Sequence, residues 1–554
     1  MTMAAVRRVL VVGASAAGLR CACRLARLCP GDEIRVVERR ARFSWAACGM
    51  PFVLGGELPD ADALRATAWG ALRDAHHFAA DKGVAVHART EVVAVDPRAR
   101  RATLAGPAGQ EVAAWDELVL ATGARARTLG QAPGDPRVVR FHDPDDLERL
   151  ASLLRDEEIR HVAVIGAGLV GCEVSEALAG AWGVEVTLLE AADRPLPAML
   201  DPETAALVAA ELERGGVRLR CDDPVRRIRR TADGIVVESE TGAVTADLVI
   251  EALGVVPQAA LAVSAGASLG PAGGVLVDER LATDVPGVHA VGDVVEVPHR
   301  VTGRPCHMPL GSLANRQGRT LANVLAGRDD RFGPVTGAVA LRVFDLAVAA
   351  VGLTADAARR EGLDVRSVCV SADDAAHYWP ESARVHVAVV WEGGSRRLLG
   401  VQAAGRRDAK RIVDLASAVI AAGGTIDRLG AVEHAYCPPL APAIDPLAVA
   451  AFCAQEVEAG RLEPVSPLAA LDPATVLDVR VEAERRAHPL AAARARTPAE
   501  MRADADDLPD GLVVACERGP RASEAARLLA ARGRRARWLA GGLAWRRAAR
   551  ETGR

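Results

Sequence analysis

The chain has 554 residues, half of them apolar, and a formal net charge of −4 at pH 7. This length predicts three or four domains with large cores, and the near-neutral charge argues against a nucleic-acid-binding protein. No apolar run of about 18 residues predicts a membrane span, and an early strand leaves no room for a signal peptide. None of the eleven cysteines forms a CxxC pair, which predicts reduced thiols. We therefore expect a cytoplasmic protein without a membrane partner, and no metal site is predicted.

The first predicted elements form a dinucleotide-binding unit. Val9–Val12 is an apolar run typical of a buried parallel strand, and the turn Gly13–Gly18 follows it. A helical stretch then runs to Leu28 and leads to a second strand at Ile34–Glu38. In such a βαβ unit the first glycine allows a tight turn, and the helix amino terminus offers N–H groups to a pyrophosphate.

A carboxylate stands where this unit would bind a ribose. Glu38 lies twenty residues after the last glycine of the turn and can accept hydrogen bonds from the ribose diol. A serine replaces the usual middle glycine, so the backbone approaches the phosphates less freely. We predict that this first dinucleotide contacts Gly13, Ser15, Ala16, Gly18, Glu38 and Arg39.

Cys48 follows this unit and has no local partner. Where a pair of redox-active cysteines follows such a dinucleotide-binding unit, the second thiol lies five positions after the first. That position in this chain is Val53. A single thiol must hold its oxidising equivalents as a mixed disulfide, a persulfide or a sulfenic acid. Because Pro51 suits the first turn of a helix, we expect a helix amino terminus or a nearby cation to lower the pKa of Cys48.

The same construction recurs further along the chain. Val162–Ile165 leads into Gly166–Gly171, and then come a helix to about Ala181 and a strand at Val184–Glu190. The carboxylate that ends this strand favours NADH, because it would repel a 2′-phosphate, whereas Arg194 leaves NADPH as the alternative. Two successive folds of this kind predict two dinucleotides, most simply FAD and NADH or NADPH. The predicted contacts of the second are Gly166, Gly168, Gly171 and Glu190.

Three further strands end in glycine or a carboxylate, as a dinucleotide site requires. These are the segments 118–123, 247–254 and 288–293. Asp293 is expected to bind the flavin ribityl hydroxyls, with a helix N-cap as the structural alternative. The cofactor contacts that these segments add are Thr122, Gly123, Gly254, Gly292 and Asp293.

Over roughly residues 7 to 455 the chain resembles the pyridine nucleotide–disulfide oxidoreductase family. More narrowly, Ser44–Pro51 resembles the single-cysteine segment of coenzyme A-disulfide reductases and their persulfide-reducing relatives, and Glu433–Pro439 resembles part of their dimerisation domain. The resemblance implies that hydride passes from NAD(P)H to FAD and on to an adduct at Cys48. It also implies a small-molecule disulfide or persulfide substrate.

The resemblance gives a role to the only two tyrosines of the chain, Tyr378 and Tyr436. In the relatives, tyrosines at these positions reach the partner subunit's flavin–cysteine site and can donate a proton to a leaving thiolate. Both residues therefore imply a homodimer.

The resemblance also implies contacts for coenzyme A, as substrate or bound thiol. Arg27 and Lys82 match cations that meet its phosphates, Arg24 is a further candidate, and Ser44 begins the matched cysteine segment. Ala47 replaces the asparagine usually found beside the cysteine, which leaves the identity of the substrate open.

After a polar linker, the last residues resemble a rhodanese domain. Val476–Arg480 and Gly511–Cys516 predict strands, and a loop of N–H groups with Arg521 follows the second one. Cys516 is therefore a candidate carrier of sulfane sulfur, held as a persulfide anion. The usual Gly-His-Ile-Pro-Gly-Ala turn is missing between Arg480 and Met501, so the domain is shortened and its activity is left open.

The predicted fold is α/β, with two nested Rossmann-like dinucleotide-binding domains, an α+β dimerisation domain and a C-terminal α/β rhodanese-like domain. The predicted limits are 1–142 with 245–330 for FAD, 143–244 for NAD(P)H, 331–456 for dimerisation, 457–467 for the linker and 468–554 for the last domain.

Three alternative functions stay open. One is an NADH oxidase or peroxidase that uses a cysteine sulfenic acid. Ala16 counts against it, because related oxidases carry a histidine there. The second is a ferredoxin-reductase-like electron carrier, and the third is a non-enzymatic redox sensor.

Overall fold

A computed structural model describes residues 6–132, 134–491, 494–505 and 507–550. The described residues form two compact units. The first comprises the chain up to Leu188 together with Val225–Val335, and the second comprises Leu189–Pro224 together with the chain from Thr336 onward. Within these residues, every helix is too short or too polar to span a bilayer. All eleven cysteines are described and none is in a disulfide.

A parallel five-stranded sheet forms the centre of the first unit. Its strands have the order β19-β7-β1-β2-β3, and their apolar side chains, among them Val11, Val36 and Leu118, are fully buried. Helices cover a parallel sheet on both faces, which explains why its strands are nearly continuous apolar runs. The strands are β1 (Arg8–Val12), β2 (Glu33–Val37), β3 (Ala85–His87), β7 (Glu117–Leu120) and β19 (Val288–Ala290).

A second parallel sheet in this unit contains the second predicted βαβ unit. Four of its strands have the order β11-β10-β16-β9, namely β9 (Val138–Arg140), β10 (His161–Ile165), β11 (Glu185–Leu189) and β16 (Leu248–Glu251). The remaining strands form small sheets around the two parallel ones. They are β4 (Glu91–Asp96), β5 (Arg101–Gly106), β6 (Gly109–Ala114), β8 (Ala124–Ala126), β13 (Val225–Thr231), β14 (Gly234–Ser239), β15 (Ala243–Ala246), β17 (Val255–Pro257), β18 (Val275–Leu276), β20 (Val295–Pro298) and β21 (Pro305–Cys306).

The helices of the first unit connect these strands. They are α1 (Ala16–Leu28), α2 (Met50–Leu54), α3 (Ala75–Lys82), α4 (Pro144–Asp156), α5 (Leu169–Ala177), α7 (Ala260–Ser264) and α8 (Gly311–Leu325). Short 3₁₀ turns occupy Ala47–Gly49 and Ala61–Arg65, and a π-helical turn at Leu178–Trp182 extends α5.

The second unit is built on an antiparallel sheet with the order β22-β23-β26-β25-β24. Its strands are β22 (Val339–Val343), β23 (Leu346–Gly352), β24 (Val365–Asp373), β25 (Arg384–Glu392) and β26 (Leu398–Gly405). Residues 189–224, with α6 (Pro202–Arg214) and β12 (Val217–Arg220), group with this sheet. Buried hydrogen bonds anchor them, since Gln402 Nε2 donates to Asp201 Oδ2 at 2.6 Å and Asp201 N donates to Gln402 Oε1 at 2.8 Å. The helices beside the sheet are α9 (Ala355–Arg360), α10 (Ala409–Ala421), α11 (Ile426–Gly430) and α12 (Pro446–Glu458).

The C-terminal part of this unit is a small α/β domain. Its parallel sheet has the order β27-β31-β30-β28-β29, with β27 (Pro464–Val465), β28 (Val476–Asp478), β29 (Arg494–Ala495), β30 (Leu512–Ala515) and β31 (Ala536–Leu539). Its helices are α13 (Glu482–Ala487), α14 (Pro498–Ala503), α15 (Pro520–Ala530) and α16 (Gly542–Ala548). A parallel sheet with its helices is the architecture that the sequence predicts for this segment.

Candidate active site

The carboxyl ends of three strands meet at one edge of the first sheet. Val12 on β1 pairs with Val37 on β2 and with Leu120 on β7, so the residues that follow each strand lie side by side. Gly13 N donates to the Val37 carbonyl oxygen at 2.8 Å. Ligands of open α/β sheets bind at this edge, and the predicted cofactor residues gather there.

A cavity of about 500 Å³ opens at this edge. Most of the residues predicted to contact the first dinucleotide line it, namely Gly13, Ser15, Ala16, Glu38, Arg39, Thr122, Gly123, Gly292 and Asp293. Two predicted contacts do not. Gly18 packs against the backbone of the turn, since a Cβ on it would lie 2.0 Å from the Gly13 carbonyl oxygen. The Gly254 carbonyl oxygen accepts a hydrogen bond from Arg127 N at 2.9 Å.

The lining has the chemistry that FAD requires. The N-cap residue Ser15 makes no side-chain capping bond, so the first N–H groups of α1 are available to a pyrophosphate. The carboxylate of Glu38 accepts from the backbone N–H groups of Ala14 and Arg40, both at 3.0 Å, and this fixes its position for ribose hydroxyls. Trp45 lines the cavity, and its buried Nε1 has no hydrogen-bond partner among the described residues. A bound cofactor can satisfy that donor.

Close backbone packing explains the glycine at position 13. Gly13 has φ +111°, and a Cβ built on it would lie 2.2 Å from the Ala121 carbonyl oxygen. Gly166 repeats this arrangement in the second unit, with φ +102° and a Cβ position 2.6 Å from the Ala252 carbonyl oxygen. Side chains therefore cannot enter either turn without moving the neighbouring strand.

Gly13→Ala should cost the protein most of its bound FAD. The new Cβ displaces the β1–β7 strand ends that form the cavity floor, so we expect FAD to bind about tenfold more weakly or worse. The flavin-to-protein absorbance ratio after gel filtration measures the loss. Gly31→Ala is the matched control, because a Cβ at Gly31 meets no atom within 4 Å. Normal flavin content in Gly13→Ala would contradict this account of the turn.

Asp293 faces the cavity and caps no helix. It precedes β20, and α8 begins only at Gly311, so the N-cap alternative for this carboxylate is wrong. Burial raises the pKa of Asp293, whereas His307 and His142 lower it. Gln317 on α8 supports the neighbouring backbone, because Gly292 N donates to its Oε1 at 2.6 Å.

Several cavity residues carry no motif and were not predicted. His142 lines the cavity, and its Nε2 lies 3.1 Å from the Ala124 carbonyl oxygen. Gln258 also lines the cavity, and its Nε2 donates to the carbonyl oxygens of Thr122 and Ala124 at 3.1 and 3.0 Å.

Cys48 is exposed and lies in the 3₁₀ turn Ala47–Gly49, directly before α2. Ala47 beside it lines the cavity. The predicted helix start is confirmed, with Pro51 in the first turn of α2, although this helix has only five residues. A longer helix also begins near the thiol, because the position of a Cβ on Gly311, the first residue of α8, lies 4.0 Å from Cys48 Sγ. The N-cap residue Leu310 makes no side-chain capping bond, so the first N–H groups of α8 are near the sulfur.

The expectation that cations or a helix lower the pKa of Cys48 is wrong for this chain by itself. Although the residue is exposed, the atoms packed around its sulfur desolvate the thiolate, and this raises its pKa. The carboxylates of Glu173 and Asp293 raise it further, and a backbone hydrogen bond opposes them weakly. Glu173 lies on α5, and burial with a contribution from Glu176 raises its own pKa to about 7.

Glu173→Gln should speed alkylation of Cys48 at pH 8. Above pH 7 the Glu173 carboxylate is charged and opposes a thiolate on Cys48, whereas below pH 7 it is protonated and neutral. Removing that charge should raise the alkylation rate about two- to tenfold at pH 8 and little at pH 6. Timed iodoacetamide labelling with mass spectrometry of the Cys48 peptide gives the rate. Glu185→Gln, an exposed carboxylate on β11, is the control, and equal rates for all three proteins would refute the coupling.

The second glycine turn begins α5, and Gly168 is its N-cap residue. Glu190 and Arg194 belong to the second unit. Glu190 Oε1 accepts from Ala192 N at 2.9 Å. The Arg194 guanidinium donates to Asp193 and Asp356, in both cases at 2.8 Å, and to the Leu200 carbonyl oxygen at 3.0 Å. Arg194 is therefore committed to protein groups, which weakens the case for a 2′-phosphate site.

The predicted coenzyme A cations lie on the surface of α1 and α3. Burial raises the pKa of Cys23, and Arg27, Lys82 and Arg20 lower it, so the three cations surround that thiol. Neither Arg27 nor Lys82 forms an ion pair within the described chain. Arg24 instead donates from Nε to Asn323 Oδ1 at 2.7 Å.

Ser44 is buried and lies behind the cavity lining. It has φ +56°, and its N–H donates to the Ala14 carbonyl oxygen at 2.8 Å, next to the first glycine turn. This bond connects the cysteine segment to that turn. A contact between Ser44 and substrate stays a prediction.

The two tyrosines lie together on the surface of the second unit. Tyr378 is 63% exposed and Tyr436 is 53% exposed, although large aromatic side chains are usually well buried. A hydrogen bond with Tyr378 raises the pKa of Tyr436. Both line a cavity of about 360 Å³. Other apolar side chains nearby in the chain are also exposed, namely Trp379, Leu440, Ile444 and Phe452.

Cys516 follows β30 and is buried under its own loop. Its Sγ accepts from Gly519 N at 3.1 Å and from Ala522 N at 3.3 Å, so the predicted ring of N–H groups is present. Arg521 lies differently from the expectation. Its guanidinium forms two bonds of 2.6 Å to the Glu484 carboxylate, so backbone groups and not this side chain hold the sulfur.

A dinucleotide cavity beside an exposed thiol, followed by a second dinucleotide turn, defines a flavin- and pyridine-nucleotide-dependent oxidoreductase. The family model for pyridine nucleotide-disulphide oxidoreductases matches residues 7–317, and the model for the dimerisation domain of that family matches residues 339–448. The chain belongs to the pyridine nucleotide-disulphide oxidoreductase family. It is an FAD-dependent oxidoreductase that uses NAD(P)H.

Relatives with assigned activities cover most of the chain. A Pyrococcus horikoshii NAD(P)H coenzyme A polysulfide/persulfide reductase is 32% identical over 80% of this chain and 98% of its own. The structure of an NAD-dependent persulfide reductase from A. fulgidus is 33% identical, with a TM-score of 0.93 over 97% of this chain and 99% of that one. The reduced Bacillus anthracis protein CoADR-RHD is 28% identical, with a TM-score of 0.91 over 99% and 98% of the two chains.

Proposed function

We propose that this protein is a homodimeric reductase that uses NADH to reduce coenzyme A disulfide or coenzyme A persulfide at Cys48, with Cys516 as a carrier of sulfane sulfur. The observation that carries the proposal is the position of Cys48. It is an exposed thiol beside the dinucleotide cavity, and the family's second cysteine position holds Val53. Its oxidised partner must therefore be a molecule from outside the chain.

Cys48 would act as the nucleophile. Its thiolate attacks one sulfur of the bound substrate, a new S–S bond forms, and the substrate's own S–S bond breaks to release a thiolate or hydrosulfide. FAD, when bound, supplies the chemistry that passes two electrons from NADH to this new bond. With the persulfide the overall reaction is NADH + H⁺ + CoA-S-SH → NAD⁺ + CoA-SH + H₂S. With the disulfide it is NADH + H⁺ + CoA-S-S-CoA → NAD⁺ + 2 CoA-SH. The amino terminus of α8 near Sγ would offset part of the desolvation and carboxylate repulsion that raise the pKa of Cys48.

The tyrosine pair would protonate the leaving thiolate from the partner subunit. Both phenols are exposed, and so are several apolar side chains on the same unit. This exposure supports a dimer in which a second copy of the chain covers them. Both phenols line one cavity and Tyr378 raises the pKa of Tyr436, which supports joint action, because one phenol can orient the proton of the other.

Coenzyme A would be recognised through its phosphates. Arg27 and Lys82 offer cations that no carboxylate of the described chain neutralises, and such groups suit phosphate oxygens. The carboxylate of Glu190 and the committed guanidinium of Arg194 support NADH as the reductant.

Cys516 would carry sulfane sulfur in the C-terminal rhodanese-like domain. The two N–H groups aimed at its Sγ would stabilise the anion of a persulfide. Its loop also borders the tyrosine cavity, which Arg518 and Pro520 line together with Tyr378 and Tyr436. This position supports an exchange of sulfur between the C-terminal domain and the site that the tyrosines serve.

Anaerobic NADH consumption with defined acceptors tests the proposal. Coenzyme A disulfide and coenzyme A persulfide should each support turnover at least about tenfold faster than oxygen does in an aerobic assay. Cys516→Ser should keep the disulfide activity and lose turnover with donors that must load Cys516 first. Turnover with oxygen alone would instead identify an oxidase.

A further inference from the structure

A second cavity, of about 430 Å³, adjoins the loop that follows Cys516. It lies within the second unit, and two parts of that unit line it. The antiparallel-sheet part contributes Asp373, His377 and Arg384, and the C-terminal α/β domain contributes Glu484, Arg518 and Arg521. Both parts of the unit therefore border the loop that follows Cys516.

The charged side chains around this cavity are unevenly paired. Arg384 and Arg518 both bind the single carboxylate of Asp373. Arg521 is paired with Glu484 at 2.6 Å, and Glu517 is paired with Arg547 at 3.1 Å. The lining itself holds three guanidiniums and three carboxylates. Arg547, which lies outside the lining, neutralises Glu517, so Asp373 alone faces both Arg384 and Arg518, and one positive charge is left over where they converge. Each guanidinium has five N–H groups, of which Asp373 can occupy only a few.

The shared carboxylate lies at the right place for chemistry at Cys516. Arg518 is two residues from Cys516 and precedes Gly519, whose N–H donates to Sγ. Asp373, His377 and Arg518 also line the cavity that holds Tyr378 and Tyr436, so the two cavities have a common wall. A small anion bound between the two arginines would therefore sit beside the sulfur loop. Paired guanidiniums are well suited to an oxyanion.

We propose that Arg384 and Arg518 together bind the anionic end of a small sulfane-sulfur donor, such as the sulfonate end of thiosulfate, and that Arg384 makes the dimerisation domain part of the donor site. The proposal rests on the proposed role of Cys516 as a sulfur carrier. The Cys516 thiolate attacks the outer sulfur of thiosulfate, the new S–S bond forms, and the old S–S bond breaks with its electron pair leaving on sulfite. Three negative charges are present before and after, and no oxidant or reductant is required.

The reaction of Cys516 with two donors tests this site in the full-length holoenzyme. Thiosulfate carries the anionic group, whereas cysteamine persulfide carries a cation and leaves as a neutral thiol. With Cys48→Ser as background, mass spectrometry of the Cys516 peptide measures the added sulfur. Arg384→Gln should slow the thiosulfate reaction about tenfold or more, chiefly at low donor concentration, and leave the cysteamine persulfide reaction within about twofold. Arg486→Gln, an exposed arginine on α13, is the control and should change neither.

Sulfite binding, measured by calorimetry, tests the same site without sulfur transfer. Arg384→Gln should weaken sulfite binding about tenfold, and Arg384→Lys should weaken it less. Asp373→Asn should strengthen it, because it frees both guanidiniums from their shared carboxylate; a merely structural role for Asp373 predicts no such gain. Two results would overturn the proposal. One is an equal loss of rate with both sulfur donors in Arg384→Gln, and the other is sulfite binding that neither Arg384→Gln nor Asp373→Asn changes. If neither donor adds sulfur to Cys516 while sulfite binds as expected, the carrier role fails and the anion site stands.

Discussion

Cys48→Ser should abolish reduction of sulfur acceptors and leave the flavin site intact. A serine hydroxyl cannot form the S–S bond through which electrons reach the substrate, so NADH turnover with coenzyme A disulfide or persulfide should fall at least about 10³-fold. Cys48 does not line the cavity, and its neighbour Ala47, which does, keeps its place without Sγ. FAD content and NADH reduction of an artificial electron-accepting dye should therefore be unchanged, and stopped-flow absorbance measures both.

The control for this variant is a cysteine without a proposed role. Cys29→Ser removes a partly exposed thiol just beyond α1 and should keep the full rate with every acceptor. Full sulfur turnover in Cys48→Ser would mean that electrons leave the flavin by another route, as in an electron carrier that needs no thiol. Loss of dye reduction as well would mean that the substitution damages the cofactor site.

Tyr436→Phe should lower the rate of sulfur reduction about 10²- to 10³-fold, the usual contribution of a positioned general acid. FAD content and dye reduction should not change. Because Tyr378 raises the pKa of Tyr436 and both line one cavity, the double phenylalanine variant should be little slower than Tyr436→Phe alone. Trp379→Phe, which changes a neighbouring aromatic side chain that is 37% exposed, should stay close to wild type. Independent and additive effects of the two tyrosines would contradict their joint role.

Mixed dimers test whether the tyrosines act on the partner's cysteine. Cys48→Ser and Tyr436→Phe are each expected to be nearly inactive. When both are produced together, half of the dimers should combine one of each, and one of the two sites in such a dimer is intact. Activity should therefore return to about a quarter of the wild-type value. No recovery in demonstrated heterodimers would place each tyrosine in the same subunit's site.

The sequence predicts local elements of this fold well, because their signals lie within a few residues. Gly13 and Gly166 mark turns where the neighbouring backbone leaves no room for a Cβ, and both turns are where the motifs place them. The N–H groups around Cys516 follow from a strand end and the loop after it. The family assignment follows from the same short motifs.

Contacts between distant segments could not be predicted in the same way. The pKa of Cys48 is raised by desolvation and then by Glu173 and Asp293, surroundings that only the fold brings to the thiol, so local reasoning from Pro51 gave the wrong direction. Arg521 looked available for a persulfide until the fold placed Glu484 against it. Arg384 and Arg518 are separated by more than a hundred residues, and in a chain with 66 arginines among its 68 basic residues nothing local distinguishes them.

The most direct test of the central claim is the mass of the Cys48 peptide during a single anaerobic cycle. The oxidised holoenzyme, mixed with coenzyme A disulfide in the absence of NADH, should carry coenzyme A in disulfide linkage on Cys48, and one equivalent of NADH should remove it. The same peptide from Cys48→Ser should carry nothing. A Cys48 thiol that stays unmodified while NADH is still consumed with the disulfide would contradict the mechanism proposed for this protein.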